Sequence, residues 1–135
     1  AADPAQAQAL IDSGCVAIAY ETVTGEGRKG LPLLAPMSEI AGRLSIQAGA
    51  KCLEKHSGGS GILLGGSSYS PPANTLVIGG GVVGYNAALI ADGMKSNLTI
   101  LEKNPERIEF LINEFPKAKI LNIDDIEIEN IISDY

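Results

Sequence analysis

The chain of 135 residues has no tryptophan, one histidine and two cysteines. A lone histidine and two thiols without C-x-x-C spacing leave no donor set for a zinc ribbon or a disulfide-dense scaffold, and no metal site is expected. Cys15 stands in an apolar strand-like stretch and Cys52 in a helical one. They read as buried free thiols in a reducing compartment, with a disulfide or a zinc site as the alternatives. Basic residues are scarce as well, ten Lys and Arg against sixteen Asp and Glu for a net charge of −6. That balance excludes nucleic acid and anionic membranes as partners, since both call for a basic surface. No run of 18 apolar residues occurs and no basic segment precedes an apolar one, so a soluble, cytoplasmic protein is expected. Nine of the sixteen acidic residues lie between Glu102 and Tyr135, where they read as a solvated exterior.

Glycine, by contrast, is abundant, and three glycines fall together. Leu76-Val77-Ile78 is an apolar run that meets Gly79-Gly80-Gly81, followed by a helix-grade segment from Val82 to Met94 and a second apolar run, Leu98 to Leu101, ending on Glu102. This is a βαβ pattern carrying G-x-G-x-x-G at Gly79, Gly81 and Gly84, with an acid 23 positions beyond the first glycine. Gly79 permits the sharp turn out of the strand, Gly81 lets a pyrophosphate approach the backbone, and Gly84 lets helix and strand pack closely. The free N–H groups and positive end of the helix, at Val82 and Val83, face the phosphates. A carboxylate at Glu102 accepts hydrogen bonds from both ribose hydroxyls and repels a 2′-phosphate, which favours NAD over NADP. The competing reading, glycines serving close packing alone, lacks a reason for the acid at this distance.

Elsewhere the pattern is α/β throughout, without repeats. Asp3-Pro4 opens a short helix that Gly14 stops, and Cys15 to Ala19 reads as a buried strand ending at Tyr20-Glu21-Thr22. The Gly-rich segment from Thr24 to Gly30 reads as a loop; its Arg28-Lys29 pair suits a solvated turn better than a phosphate contact. From Pro36 the residues suit a long helix with Ser38 as N-cap and Ile40, Leu44, Ala48 and Cys52 as its apolar stripe. Gly42 and Gly49 inside it each cost about 1 kcal/mol relative to alanine, which implies a close backbone contact. Arg43 on this helix is a ligand contact or a surface residue. His56, in a Gly/Ser-rich connection, reads as exposed rather than catalytic. After Glu102, Pro105 starts a helix with Ile108, Leu111, Ile112 and Phe115 as its buried stripe. Ala118 to Asn122 reads as a third parallel strand, and Asp124 as the cap of a last helix, Asp125 to Ser133.

A complete doubly wound dinucleotide fold has two βαβαβ halves, and one is visible. The expected fold class is therefore α/β, a partial Rossmann-type parallel sheet preceded by the end of a second α/β domain and a long bridging helix. The expected division is residues 1–35 for the end of that domain, 36–56 for the bridge and 57–135 for the incomplete nucleotide domain.

Four segments in order resemble the alanine dehydrogenase and pyridine nucleotide transhydrogenase family, more closely on the alanine dehydrogenase side. They are Ala17 to Val23 (AIAYETV), Leu31 to Arg43 (LPLLAPMSEIAGR), Gly61 to Gly66 (GILLGG) and Val77 to Ala88 (VIGGGVVGYNAA). The resemblance implies reversible NAD-linked oxidative deamination of L-alanine to pyruvate and ammonia, in a cleft between a substrate domain and an NAD domain, in a protein that is commonly a homo-oligomer. It implies that Met37 and Ser38 lie near the nicotinamide end, and that Gly79, Gly81 and Gly84 form the pyrophosphate turn. It also implies that Glu102 replaces the usual ribose-binding Asp and that Arg107 lies near the adenosine. Glu21 matches a structural or metal-adjacent position. The family's substrate-binding Arg and Lys and its catalytic His and Asp match no residue of this chain, His56 included, so the chain is expected to be an internal piece that does not turn over by itself. The alternatives are a transhydrogenase nucleotide domain and a non-catalytic remnant or assembly module.

Overall fold

A computed structural model describes residues 3–25 and 30–135, so the Arg28-Lys29 pair lies outside the described residues. Two compact units divide the chain at Pro36/Met37. In the first, Ala1–Pro36, helix α1 spans Pro4–Ser13; the Asp3 carboxylate accepts the Ala5 N–H at 2.9 Å, and Gly14 closes the helix at φ +63°. The expected start and stop are both present. The buried strand expected at Cys15 to Ala19 is not formed. Those residues are irregular and Val16 is 89% exposed, since no strand among the described residues runs beside them to complete a hydrogen-bonded ladder. Tyr20–Thr22 is a single 3-10 turn.

The second unit, Met37–Tyr135, contains the sheet. Strands β1 (Asn74–Ile78), β2 (Asn97–Glu102) and β3 (Lys119–Asn122) run parallel in the spatial order β1-β2-β3. Val77 pairs with Ile100, and Ile100 with Ile120. Helix α3 (Val82–Gly93) connects β1 to β2, and α4 (Pro105–Glu114) connects β2 to β3, as expected from the two apolar patterns. Apolar residues fill β2 because it is the central strand; Ile100 and Leu101 are fully buried. Ala87, Ala88 and Ala91 of α3 share one core cluster with Leu98 and Ile100, and small side chains here let the helix approach the sheet. From α4, Leu111 joins the core and Phe115 follows at its C-cap, whereas Ile112, expected in the same stripe, is half exposed.

Helix α2 (Ala35–Cys52) starts three residues before Ser38, so Ser38 lies inside its first turn and is not its cap. Its apolar face also differs from the expected stripe. Ile40 and Leu44 are 59% and 53% exposed, while Gly42 and Ile46 are buried, with Ala50 and Leu53 beyond them against the core. The partner selects this face. A Cβ at Gly42 would run into the Val83 carbonyl oxygen and stand 2.9 Å from Asn86 Cβ, so only glycine lets α2 cross the first turn of α3 here. Gly49 meets nothing within 4 Å, and no close contact offsets its cost. Cys15 and Cys52 are both free thiols, as expected, but exposed rather than buried. The last helix is shorter than expected: Ile123–Asp125 is a 3-10 turn capped by Asn122, and α5 covers only Ile128–Ile131 with Glu127, not Asp124, at its N-cap. No helix among the described residues is long and apolar enough to cross a membrane, and no group of three potential metal-binding side chains occurs among them.

Candidate functional site: a glycine turn at the carboxyl end of the sheet

Strand β1 ends at Ile78, and Gly79 turns the chain at φ +91°, a backbone conformation that L side chains rarely adopt. The Gly79 N–H donates to the Leu101 carbonyl at 2.7 Å, so the turn begins while still tied to β2. Gly81 is the N-cap of α3 and provides no side-chain cap for the first-turn amides. Those donors are the ones a ligand can take. A Cβ at Gly81 would point into open space, with no atom within 4 Å, whereas one at Gly84 would collide with the Gly79 carbonyl oxygen and lie 3.2 Å from Val77 Cγ1. The three motif glycines thus divide their labour: Gly79 supplies the turn, Gly81 an unobstructed backbone surface, and Gly84 the contact between helix and strand. That open surface in front of an uncapped helix N-terminus fits the pyrophosphate of a dinucleotide.

A cavity of about 420 Å³ opens at this point, lined by Ser45, Ile78, Gly79, Gly81, Val82 and Val83 among others, with Gly84 at its wall. Five of the nine expected site residues therefore come together. The other four do not line it. Met37 is exposed and Ser38 half-buried in the first turn of α2. Glu102 and Arg107 instead hold Gly80, the glycine between the motif positions.

Glu102 stands at the end of β2 with its carboxylate already engaged. Oε2 accepts the Gly80 N–H at 2.7 Å, and Oε1 accepts those of Lys103 at 2.8 Å and Asn104 at 3.0 Å. The Asn104 N–H above all, joined by those of Gly80 and Lys103 and by the Arg107 guanidinium, holds the carboxyl below its ordinary range, against the opposing cost of partial burial. An ionised carboxylate has about four acceptor positions, so three backbone donors leave room for one more, at Oε2. That is one position fewer than the two ribose hydroxyls expected at this carboxylate would take, and the side chain still presents a negative charge at the carboxyl end of β2.

Arg107 donates from Nε to the Gly80 carbonyl at 2.6 Å, and its guanidinium lies 4.4 Å from the centre of the Phe110 ring and 5.4 Å from that of Tyr85. Tyr85 in turn donates to Glu114 at 2.7 Å, which raises its own pKa. Asn104 caps α4, accepting from Glu106 and Arg107 at 2.9 and 3.2 Å, and so fixes the helix that carries the arginine.

Two contributors escaped the sequence reading. Gly80 looks like a spacer in G-x-G, yet a Cβ there would run into Leu111 Cδ1 and stand 3.1 Å from Glu102 Oε2. Nothing local in sequence announces that contact. Asn86, buried on α3, accepts from Arg43 Nε at 3.1 Å and donates to the Val82 carbonyl at 2.9 Å. Arg43 is therefore occupied by α3. His56, as expected, is 75% exposed, and it pairs with Glu54 at 3.2 Å. It takes no part in the site.

Residues 45–135 match the family model for the alanine dehydrogenase/PNT C-terminal domain. The chain is 53% identical over 116 residues to an alanine dehydrogenase of Halomonas elongata, covering 85% of this chain and 31% of that protein. It is 53% identical over 115 residues to an alanine dehydrogenase of Bacillus subtilis, covering 85% and 30%. A solved structure of an L-alanine dehydrogenase superposes with a TM-score of 0.80 at 41% identity, over 98% of this chain and 36% of that one. The chain thus spans about a third of the length of these relatives.

Proposed function

The chain belongs to the alanine dehydrogenase/PNT family through its C-terminal domain, and from that premise we propose that it is the NAD-binding portion of an NAD-linked L-alanine dehydrogenase. The observation that carries this reading is the glycine turn: an open backbone at Gly81, uncapped amides at the start of α3, and a carboxylate at the end of the adjacent strand. Gly79, Gly81, Val82, Val83 and Gly84 receive the pyrophosphate; Glu102 faces the adenine ribose and disfavours a 2′-phosphate; Arg107 stands beside it. Met37 and Ser38 are assigned to the nicotinamide side through the family resemblance. NAD supplies the hydride-accepting carbon, and the chain's own residues bind and orient it.

In the whole protein the proposed reaction is reversible oxidative deamination of alanine to pyruvate and ammonia. Residues 1–35 are assigned to the end of a substrate domain, 36–56 to a bridging helix and 57–135 to the nucleotide domain. A cytoplasmic location and a homo-oligomeric assembly complete the proposal, both from the family resemblance. The transhydrogenase reading falls under the same family model, but the relatives compared above all carry the name alanine dehydrogenase.

Calorimetric titration with NADH and with NADPH tests this. Saturable NADH binding with NADPH at least about tenfold weaker is expected, because a like charge set against Glu102 costs more than a factor of ten in affinity. Equal binding of the two, or binding of neither, would sink the assignment of Glu102 or of the site.

A further inference from the structure

We infer that Glu102 and Arg107 form a two-sided clamp on the Gly80 peptide unit that sets the glycine turn in its binding shape before any nucleotide arrives. The inference rests on the nucleotide-site reading and adds a positioning role for both side chains.

The geometry is reciprocal. Glu102 Oε2 takes the Gly80 N–H at 2.7 Å, and Arg107 Nε gives a hydrogen bond to the Gly80 carbonyl at 2.6 Å. Both polar groups of one residue in the middle of a three-glycine run are thereby fixed from outside the run. Glycine loses more backbone freedom on ordering than any other residue, so a Gly79-Gly80-Gly81 turn left alone would be the costliest segment of the site to immobilise. The clamp meets that cost during folding. Its two jaws are themselves held: Glu102 by the Lys103 and Asn104 amides, Arg107 by the Phe110 ring and by the Asn104 cap of its helix. Leu111 closes the third side, where any Cβ on residue 80 would collide. Charge-assisted bonds of this kind are stronger than neutral ones, and both jaws are ionised. Arg107 is thus a positioning residue whose effect on the nucleotide passes through the Gly80 peptide.

Amide hydrogen exchange in the nucleotide-free protein tests this directly, in wild type, Glu102→Gln and Arg107→Met. The Gly80 amide is expected to exchange at least about tenfold faster in both variants, while the Ile100 and Leu101 amides in the sheet core keep their wild-type rates. The Arg107 arm discriminates most, because Arg107 bonds the Gly80 carbonyl and not the Gly80 N–H whose exchange is read: unchanged exchange of the Gly80 amide in Arg107→Met, with the core intact, overturns the clamp. Should Arg107→Met loosen the core, Arg107→Lys, which keeps the charge without the planar Nε–H, takes its place with the same two outcomes. NADH affinity is expected to fall about tenfold with the loss of preorganisation. Because the exchange experiment contains no nucleotide, a wild-type protein that fails to bind NADH would defeat the proposed function and leave the clamp to be judged by exchange alone.

Discussion

Single glycines in this turn carry different duties, and substitution separates them. Gly81→Ala adds a methyl that meets no protein atom at a φ of −66°, so it should leave the denaturant midpoint unchanged while obstructing the pyrophosphate. Its signature is weakened NADH binding in a protein of wild-type stability. Gly84→Ala should instead lower stability, because its methyl is driven into the Gly79 carbonyl and the structure must open to admit it. Overpacking of that kind costs about 1–3 kcal/mol, read from urea unfolding. If both variants unfold alike, the division of roles is wrong. Glu102 adds a pH dependence. Its carboxyl titrates below the ordinary value of 4.5, so its contribution to stability is fully present above that value and is lost as pH falls through the lower native pKa. Wild type should therefore exceed Glu102→Gln in stability at pH 7, and the gap should close as the pH is taken below about 4.5. A gap that stays constant down to acid unfolding would exclude the ionised clamp. The roles of Gly79, Gly81 and Gly84 were legible in the sequence because each is set by the chain's own local path, strand to turn to helix. Gly80 was not, since what constrains it, Glu102, Arg107 and Leu111, lies more than twenty residues away.

Among the elements, α2 shows why a period alone does not choose a face. Two stripes of similar apolar character run along it, one through Ile40 and Leu44 and one through Ile46, Ala50 and Leu53, and hydropathy does not rank them. The decisive residue is Gly42, where the absence of a side chain lets the backbone of α3 come close, with Arg43 reaching Asn86 beside it. Such a contact is settled by the partner helix, 43 residues further on. Helices α3 and α4 were legible because each follows a strand and returns to a parallel neighbour, so one face must cover the sheet. The strand expected at Cys15 to Ala19 fails for the complementary reason: an apolar run becomes a strand only beside another. The two glycines of α2 give a paired test. Gly42→Ala should destabilise by about 1–3 kcal/mol as α2 is pushed off α3. Gly49→Ala, exposed and unobstructed, should stabilise by about 0.5–1 kcal/mol from helix preference alone. Thermal or urea unfolding of the two single variants reads both signs. A loss at Gly49 as large as that at Gly42 would show that the helix contact is not what requires glycine.

At the scale of the whole molecule, binding and turnover separate. The chain covers 31% of the Halomonas elongata relative, and within that share the described structure concentrates one function, the glycine turn with its clamp. Hydride transfer to a nicotinamide needs more than a held dinucleotide. It needs the amino acid oriented at near-attack distance and a group to take the proton that leaves the amine. The only imidazole in the sequence is that of His56, which is exposed and paired with Glu54 on a 3-10 turn, outside the glycine-turn cavity. The 135-residue chain should accordingly bind NADH and yet give no alanine-dependent reduction of NAD, followed by absorbance at saturating alanine and NAD. His56→Asn should leave NADH affinity within about twofold of wild type, since surface substitutions away from a site shift energies by no more than about 0.5 kcal/mol. Turnover by the chain alone would mean that it holds a proton acceptor and an amino-acid site of its own. If that turnover also vanished in His56→Asn, the exposed imidazole would be the group to place there.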